Sequence, residues 1–470
     1  MDVQPHSHGN AANPPRVSSA PDPLAVHPQC LRRGNEAGDA GPGVGGKMMT
    51  EATGVVPRRS VLHTAIAANI GAVFEWYDLL LYALFAVTLS KQFFPPGDPG
   101  SAVLLSLGTF AIAWLVRPIG AVVIGTYADR AGRKPALLLS VGLMMLGTLI
   151  TAALPGYASI GMAAPVLLVL ARLIQGFSAG GEFGSATALM AEQDQSRRGF
   201  FASLQWAASG FAVFMASMFA YVINQTLDPA QVASWGWRIP FIFGLLIGPI
   251  GWYIRREMDE SPEFETTEHS AAPLREVLDH DIWRILAGAG AVAAGAAGSF
   301  TNAYMPTFAI TKLGLGASAA LVGTIVAGLI NSTLPMWFGH LSDRFGRLPV
   351  MWTFGVMGLL MIYPMFVWLI ASPSVGTLVA CQALLAIVMY CGYYATVPAL
   401  LSDLFHTRRR TTGISIAYVL GQLLFGGVTP LVVGWIVAKT GDPTSPGMYL
   451  TAVVVVSLIS LVGCRRLGVR

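Results

Sequence analysis

Charge is scarce in this chain. Only 11% of its 470 residues are Asp, Glu, Lys or Arg, while 54% are hydrophobic; a soluble globular protein carries about 25% charged residues. No soluble core could hide that much apolar surface, so the solvent must be lipid. Cysteine is equally sparse. Cys30, Cys381, Cys391 and Cys464 have no metal-ligand spacing and sit in no polar Cys-rich region, which argues against a metal site or a disulfide framework and for small apolar packing residues. No Gly-rich phosphate loop and no soluble catalytic constellation is visible, so neither an ATP-driven pump nor an enzyme is expected. The net charge of +4 is no sign of nucleic-acid binding, because the positive residues follow a topological pattern instead.

What is present is a series of long apolar runs. A helix needs roughly 20 apolar residues to cross the hydrocarbon. Twelve candidate spans can be counted, at about 62–89, 101–127, 136–155, 163–190, 200–223, 237–255, 283–309, 319–341, 349–371, 376–401, 412–437 and 447–464. Arg58/Arg59, Arg130/Arg133/Lys134, Arg197/Arg198, Arg255/Arg256, Arg344/Arg347, Arg408/Arg409/Arg410 and Arg465/Arg466 fall on every second connection and both tails. The other connections hold Lys91, Lys312, Lys439 and little else. The positive-inside bias therefore puts the Arg-rich connections and both termini in the cytoplasm, which requires an even number of spans.

Residues 1–58 are rich in Pro, Gly, Ala, Ser and His, contain no aromatic residue and lack the apolar stretch of a signal peptide. They read as a disordered cytoplasmic tail, with Met48 and Met49 leaving a mis-called start as the alternative. Residues 257–282 are the long polar connection inside the body, read as a solvated cytoplasmic linker. It separates six spans in 59–256 from six in 283–470. The expected fold is an all-α membrane protein of two six-helix bundles.

A charged loop is repeated in the two halves. Gly125, Asp129, Arg130, Gly132 and Arg133 stand between the second and third spans. Gly339, Asp343, Arg344, Gly346 and Arg347 repeat the order 214 residues later. Two similar bundles in one chain are the layout of a secondary transporter. A carboxylate here can accept from exposed N–H groups at a neighbouring helix N-terminus, and the basic residues can pair across the bundle interface. Gly125, Asp129, Arg130, Gly132, Arg133, Asp343, Arg344 and Arg347 are therefore expected to gate; tight hairpins with positive anchors are the plainer reading.

The loop resembles the signature between helices 2 and 3 of the major facilitator superfamily. Further stretches narrow the resemblance: Phe74-Glu75-Trp76-Tyr77-Asp78, Arg117-Pro118-Ile119-Gly120, Arg172-Leu173-Ile174-Gln175-Gly176, Trp235-Gly236-Trp237-Arg238 and Glu260-Ser261-Pro262-Glu263-Phe264. Together these are similar to the metabolite–proton symporter family over about residues 60–465. Its members take up citrate, tricarballylate, 2-oxoglutarate, shikimate, and proline or betaine. The resemblance implies alternating access in a bacterial inner membrane, driven by the proton gradient and without a cofactor. Citrate or a related tricarboxylate comes first, because Pro155-Gly156-Tyr157 and Phe425-Gly426-Gly427-Val428-Thr429-Pro430 look like members that carry citrate or tricarballylate. A 2-oxoglutarate or other dicarboxylate symporter comes second. An osmolyte carrier ranks lower, since osmosensing members have a C-terminal coiled-coil extension not seen here. A non-transporting sensor and a passive channel are the competitors of other classes. The partners expected are a small carboxylate, protons and the bilayer, with no nucleic acid and no ATP, and the chain is expected to be a monomer.

The interior residues support a carboxylate independently. Ionisable groups deep in spans are costly and usually functional or paired. Here they are Glu75, Asp78, Arg117, Arg172 and Glu182, all in the first half. Glu75 and Asp78 are three apart and share a helix face. Asp78 and Arg172 lie at a similar depth, at 1.5 Å per residue. A proton on Asp78 or Glu75 would release an arginine to grip a substrate carboxylate, a task suited to the guanidinium fork. Asp78, Glu75 and Glu182 are thus the proton-coupling candidates, and Arg117 and Arg172 the substrate grip. Static buried pairs are the alternative. The second half offers uncharged candidates for substrate contact: Asn302, Tyr390, Tyr394 and Gln422; Tyr390, Tyr393 and Tyr394 stand at helical spacing, with packing as their plainer reading.

Overall fold

The computed structural model describes residues 72–131, 133–181, 183, 187, 197–256, 273–406 and 410–469. The proposed tail, most of the polar connection at 257–282, Gly132 and Glu182 lie outside the described residues.

Twelve segments follow in order. They are α1 (Ala72–Leu84 with Ala86–Phe93), α2 (Pro99–Ala131), α3 (Arg133–Ala153), α4 (Ala163–Ser178), α5 (Arg198–Thr226) and α6 (Arg238–Arg256). The second half repeats the count with α7 (Pro273–Lys312), α8 (Ala317–Thr333 with Pro335–Phe345), α9 (Arg347–Ala371), α10 (Val375–Leu404), α11 (Arg410–Thr440) and α12 (Ser445–Arg466). No strand occurs among the described residues. Large side chains such as Leu246, Leu360 and Ile459 are left exposed on the outside, the belt that a lipid solvent permits.

The helices pack as two bundles, α1–α6 and α7–α12. Apolar burial gains little against lipid tails, so close backbone approach and hydrogen bonds must hold the helices together. Ser457 of α12 donates to Gly290 O (2.6 Å) and accepts from Ala294 N (2.8 Å), bridging one step of the α7 ladder. Tyr77 of α1 donates to Pro240 O at the start of α6 (3.0 Å). Arg238 caps the end of α3 by donating to Ala152 O (3.1 Å) and Leu154 O (2.9 Å), where a cation also suits the helix dipole. At the start of α2, the Ser101 hydroxyl and N–H both donate to Asp98 (2.8 Å each) and hold its carboxyl below the usual carboxylate range.

Three features depart from straight, continuous spans. α1 bends by 67° between Leu84 and Ala86, and α8 by 45° between Thr333 and Pro335. Pro335 explains the second, since its ring and missing N–H break the ladder; no proline accounts for the first. The regular helix of α4 runs to Ser178 and tightens to a 3₁₀ turn at Ala179–Gly181, while Phe183 and Thr187 within the expected span are helical again. Two adjacent glycines are poor helix formers. In α10 the ladder widens to a π-helical stretch over Ala386–Tyr393, then tightens over Tyr394–Thr396. α11 has a similar π turn at Leu423–Gly427.

The bundles meet along two seams. α5 lies on α8 and α2 on α11. On the first seam a Cβ at Gly199 would strike Gly339 O, and one at Gly339 would strike Gly199 O. On the second, a Cβ at Gly427 would fall on the Trp114 indole.

Candidate functional site

Four charged side chains are buried between α1, α2 and α4. Glu75 and Asp78 come from α1, one turn apart, and are 8% and 1% exposed; Arg117 of α2 is 5% exposed and Arg172 of α4 is 0% exposed. Burial of this kind requires compensation. The sequence placed all four in the core, and the structure sorts them into two pairs that are built differently.

Arg117 and Glu75 form a direct bond, Nη2 to Oε1 at 2.8 Å. The Arg117 guanidinium also lies 3.7 Å from the centroid of the Trp114 ring, one turn away on the same helix, a cation–π contact. This is a closed arrangement, with charge, hydrogen bond and ring face all engaged.

Arg172 and Asp78 are looser. Their nearest atoms, Nη1 and Oδ2, are 3.7 Å apart, beyond hydrogen-bond distance. Asp78 is held instead by neutral donors. Thr148 of α3 donates to Oδ1 at 2.8 Å, and Gln175 of α4 donates through Nε2 to Oδ2. Arg172 stacks 4.1 Å over the Tyr82 ring. None of its three guanidinium nitrogens has a hydrogen-bond partner among the described residues. A buried cation with five unused N–H donors can accept a planar anion without first breaking a hydrogen bond.

Beside these ions lies an aromatic wall shared by both bundles. Trp76 of α1 has the rings of Trp114, Trp206 and Phe300 at 6.3, 6.3 and 6.1 Å. Trp206 of α5 lies 4.0 Å from Tyr394 of α10, and Phe183 stacks flat on Tyr418 of α11. A cavity opens next to this wall, lined by Trp76, Leu80, Ser209, Phe300, Asn302 and Asn331 among others. It is bounded by α1 and α5 on one side and α7 and α8 on the other.

The second-half candidates are distributed unequally. Asn302 lines the cavity; its amide donates to Gln382 O (3.3 Å), leaving Oδ1 without a partner. Gln422 donates to the hydroxyls of Tyr394 (2.6 Å) and Tyr418 (2.7 Å), and its Oε1 has no partner. Tyr390 reaches across to Trp206 O (2.9 Å). Tyr390 and Tyr393 stand on the π stretch of α10, and Tyr394 opens the tight turn after it. Tyr390 and Tyr394 both meet Trp206 of the first bundle, while Tyr393 turns inward to Ala291 O (3.0 Å).

The charged loop of the second half ties the bundles at one end of the molecule. Asp343 accepts from the N–H groups of Gly199 (2.8 Å) and Phe200 (3.0 Å), at the start of α5. That places a carboxylate on the positive end of a helix dipole. Arg347 pairs with Asp343 (2.6 Å) and with Asp403 (3.3 Å), and Asp403 pairs in turn with Arg198 across the seam (3.2 Å). Arg344 is exposed beside this cluster, its guanidinium over Phe345. In the first-half copy, Gly125, Asp129 and Arg130 fall on α2 and Arg133 on α3. Among the described residues no group of three His, Cys, Asp or Glu could hold a metal ion.

Sequence reading missed Thr148, Trp206, Tyr418 and Asp403. A single hydroxyl or aromatic in an apolar helix carries no pattern of its own. Gln175 had a signal: it stands one turn after Arg172 and shares its face.

Comparison with known proteins places these residues in context. Residues 64–280 match the family model for sugar and other transporters, and residues 324–467 match that of the Major Facilitator Superfamily. A citrate–proton symporter of Klebsiella pneumoniae is 32% identical over 415 residues, covering 85% of this chain and 93% of that protein. The citrate–proton symporter of Salmonella typhi is 33% identical over 408 residues, with 86% and 93% covered. A putative proline/betaine transporter of Staphylococcus aureus (strain MSSA476) is 34% identical over 418 residues, with 86% and 88% covered. Among solved structures, a D-xylose–proton symporter superposes with a TM-score of 0.66 at 19% identity, over 86% of this chain and 97% of that one. The E. coli xylose transporter in a partially occluded inward-open conformation gives 0.68 at 20% identity, over 85% and 96%.

Proposed function

Because the chain belongs to the major facilitator superfamily, within its metabolite–proton symporter family, we propose that it imports a small carboxylate together with protons by alternating access. Citrate or a related tricarboxylate is the first candidate, with 2-oxoglutarate or another dicarboxylate next. The observation that carries this reading is the loose pair. Arg172 is buried, cationic and without a hydrogen bond among the described residues, while Asp78 is held by neutral donors.

The mechanism follows from charge. Glu75, Asp78, Arg117 and Arg172 sum to zero when all are ionised. A proton on Asp78 neutralises the carboxylate beside Arg172, and the uncompensated cation then attracts a substrate carboxylate. Substrate and proton enter together because each makes the other less costly to bury. After the bundles rock, loss of the proton restores the internal pair and expels the anion. The Asp343–Arg347–Asp403–Arg198 cluster closes one end during this cycle, and the positive-inside bias assigns that end to the cytoplasm of the inner membrane.

Asp78→Asn tests the coupling. It mimics the protonated state permanently, so the variant should exchange labelled for unlabelled citrate at equal pH but fail to accumulate it against a gradient. Accumulation at the wild-type level would sink the assignment of Asp78 and direct attention to Glu75 and Glu182.

A second substrate reading has its own support. The wall of Trp76, Trp114, Trp206 and Phe300 is a surface that suits a quaternary ammonium, and the staphylococcal relatives are named proline/betaine transporters. Uptake of labelled glycine betaine, measured beside citrate in the same vesicles, separates the two.

A further inference from the structure

Asp78 sits in a small polar cluster that spans three helices. Thr148 Oγ1 is within hydrogen-bond reach of three groups: Asp78 Oδ1 (2.8 Å), Met144 O (3.0 Å) and Gln175 Nε2 (3.0 Å). A hydroxyl has one proton and can donate to only one of the first two at a time. Gln175 donates through Nε2 to both Asp78 and Thr148, while its buried Oε1 has no partner among the described residues. Two atoms around the carboxylate can therefore change their hydrogen-bonding sense without moving the backbone.

We infer that Thr148 and Gln175 form a reversible clamp that satisfies Asp78 in both its charged and its neutral form. With Asp78 ionised, the Thr148 hydroxyl and the Gln175 amide both donate to it, which the heavy-atom contacts allow. With Asp78 protonated, its O–H donates to Thr148 Oγ1, and the Thr148 proton swings to Met144 O. A rotation of the Gln175 amide offers Oε1 as an alternative acceptor. The carboxyl then stays hydrogen-bonded whether or not Arg172 is occupied by substrate. Without such a clamp, protonation would strand an unpaired buried O–H beside an unpaired guanidinium, each costly.

The cluster has a built-in clearance. A Cβ at Gly147 would strike Gln175 Cγ and crowd Ala171 O, so only glycine at 147 lets the Gln175 side chain cross α3 to reach Asp78. Among the described residues, the cation facing Asp78 is Arg172 of α4; Glu75 stands one turn earlier on its own helix, and Thr148 is the hydrogen-bond donor that α3 supplies. Thr148 and Gln175 are thus positioning residues, acting on substrate only through Asp78.

The inference rests on Asp78 being the proton site, so the test reads the carboxyl directly rather than transport. Infrared difference spectra of the purified full chain in lipid are recorded across a pH series, and the carboxylic-acid C=O band lost in Asp78→Asn is assigned to Asp78. In Thr148→Val the charged form loses a donor, and the midpoint of that band should move to higher pH by about one to two units. The band should also rise in frequency, because the neutral form loses an acceptor. Thr148→Ser should restore both. Gly147→Ala, which removes no polar group, should move the midpoint the same way by displacing Gln175, and it stands in if Thr148→Val does not fold. A midpoint and frequency unchanged in both variants would overturn the clamp. An Asp78 band that never titrates would overturn it as well. The coupling assignment is judged separately, by the accumulation assay on Asp78→Asn.

Discussion

Arg117 and Arg172 carry the same charge at nearly the same burial, yet their surroundings differ in kind. Arg117 is locked by Glu75 and by the face of Trp114. Arg172 has a carboxylate near it and a ring beneath it, but no hydrogen bond. Exchange to lysine keeps the charge and removes the planar fork. Arg172→Lys should therefore raise the half-saturation for citrate exchange roughly 10- to 100-fold, the worth of one charge-assisted bond at about 1.5–3 kcal/mol. Arg117→Lys should mainly lower the amount of folded protein, since it weakens a buried pair and takes the planar cation off the Trp114 ring. Unchanged half-saturation in Arg172→Lys, at normal folded yield, would remove Arg172 from the binding site. The four ions were legible in the sequence because a charge inside an apolar run is conspicuous. Their pairing was only half legible: depth put Asp78 level with Arg172, but Thr148 and Gln175, which do the holding, are neutral and leave no such mark.

Among the elements, the seam between α5 and α8 is the most dependent on local chemistry. Gly199 and Gly339 let two backbones touch, and Asp343 spans the gap to the open N–H groups of α5. Asp343→Asn keeps the shape of the side chain but removes the charge facing the helix dipole and Arg347. Losing about 1.5–3 kcal/mol from the closed end should shift the population toward opening there by roughly 10- to 100-fold. Spin labels at Arg197 and Arg344, one on each bundle, should report a longer distance component in Asp343→Asn; an unaltered distance distribution would show that this cluster does not hold the end shut. The apolar runs anticipated these elements well, because lipid leaves a spanning chain almost no option but an unbroken apolar helix. The bend in α1 and the π stretches of α10 and α11 were not anticipated. No proline marks the bend between Leu84 and Ala86 or lies within the two π stretches, and π turns of this sort recur at functional sites; the one in α10 carries Tyr390, which meets Trp206 as Tyr394 does.

At the scale of the whole molecule, charge is distributed one-sidedly. The buried ions in the middle of the fold, Glu75, Asp78, Arg117 and Arg172, all stand on α1, α2 and α4. In the second bundle the buried charge among the described residues is Asp281, at the kink where α7 begins, beside Arg284. The second bundle offers the cavity amides and hydroxyls only. This asymmetry has an electrical meaning. A membrane potential does about 2.3 kcal/mol of work per 100 mV on each elementary charge carried fully across. An empty carrier whose second bundle is neutral through its middle, and whose first bundle holds two positive and two negative groups side by side among the described residues, presents almost nothing for that field to act on. Its return step should be electrically silent, so that voltage enters the cycle only through the cargo and its protons. Current recordings on supported membranes should stay flat when voltage is stepped without substrate and show a transient when citrate is added. A transient of similar size in the substrate-free protein would mean that the second bundle carries charge after all.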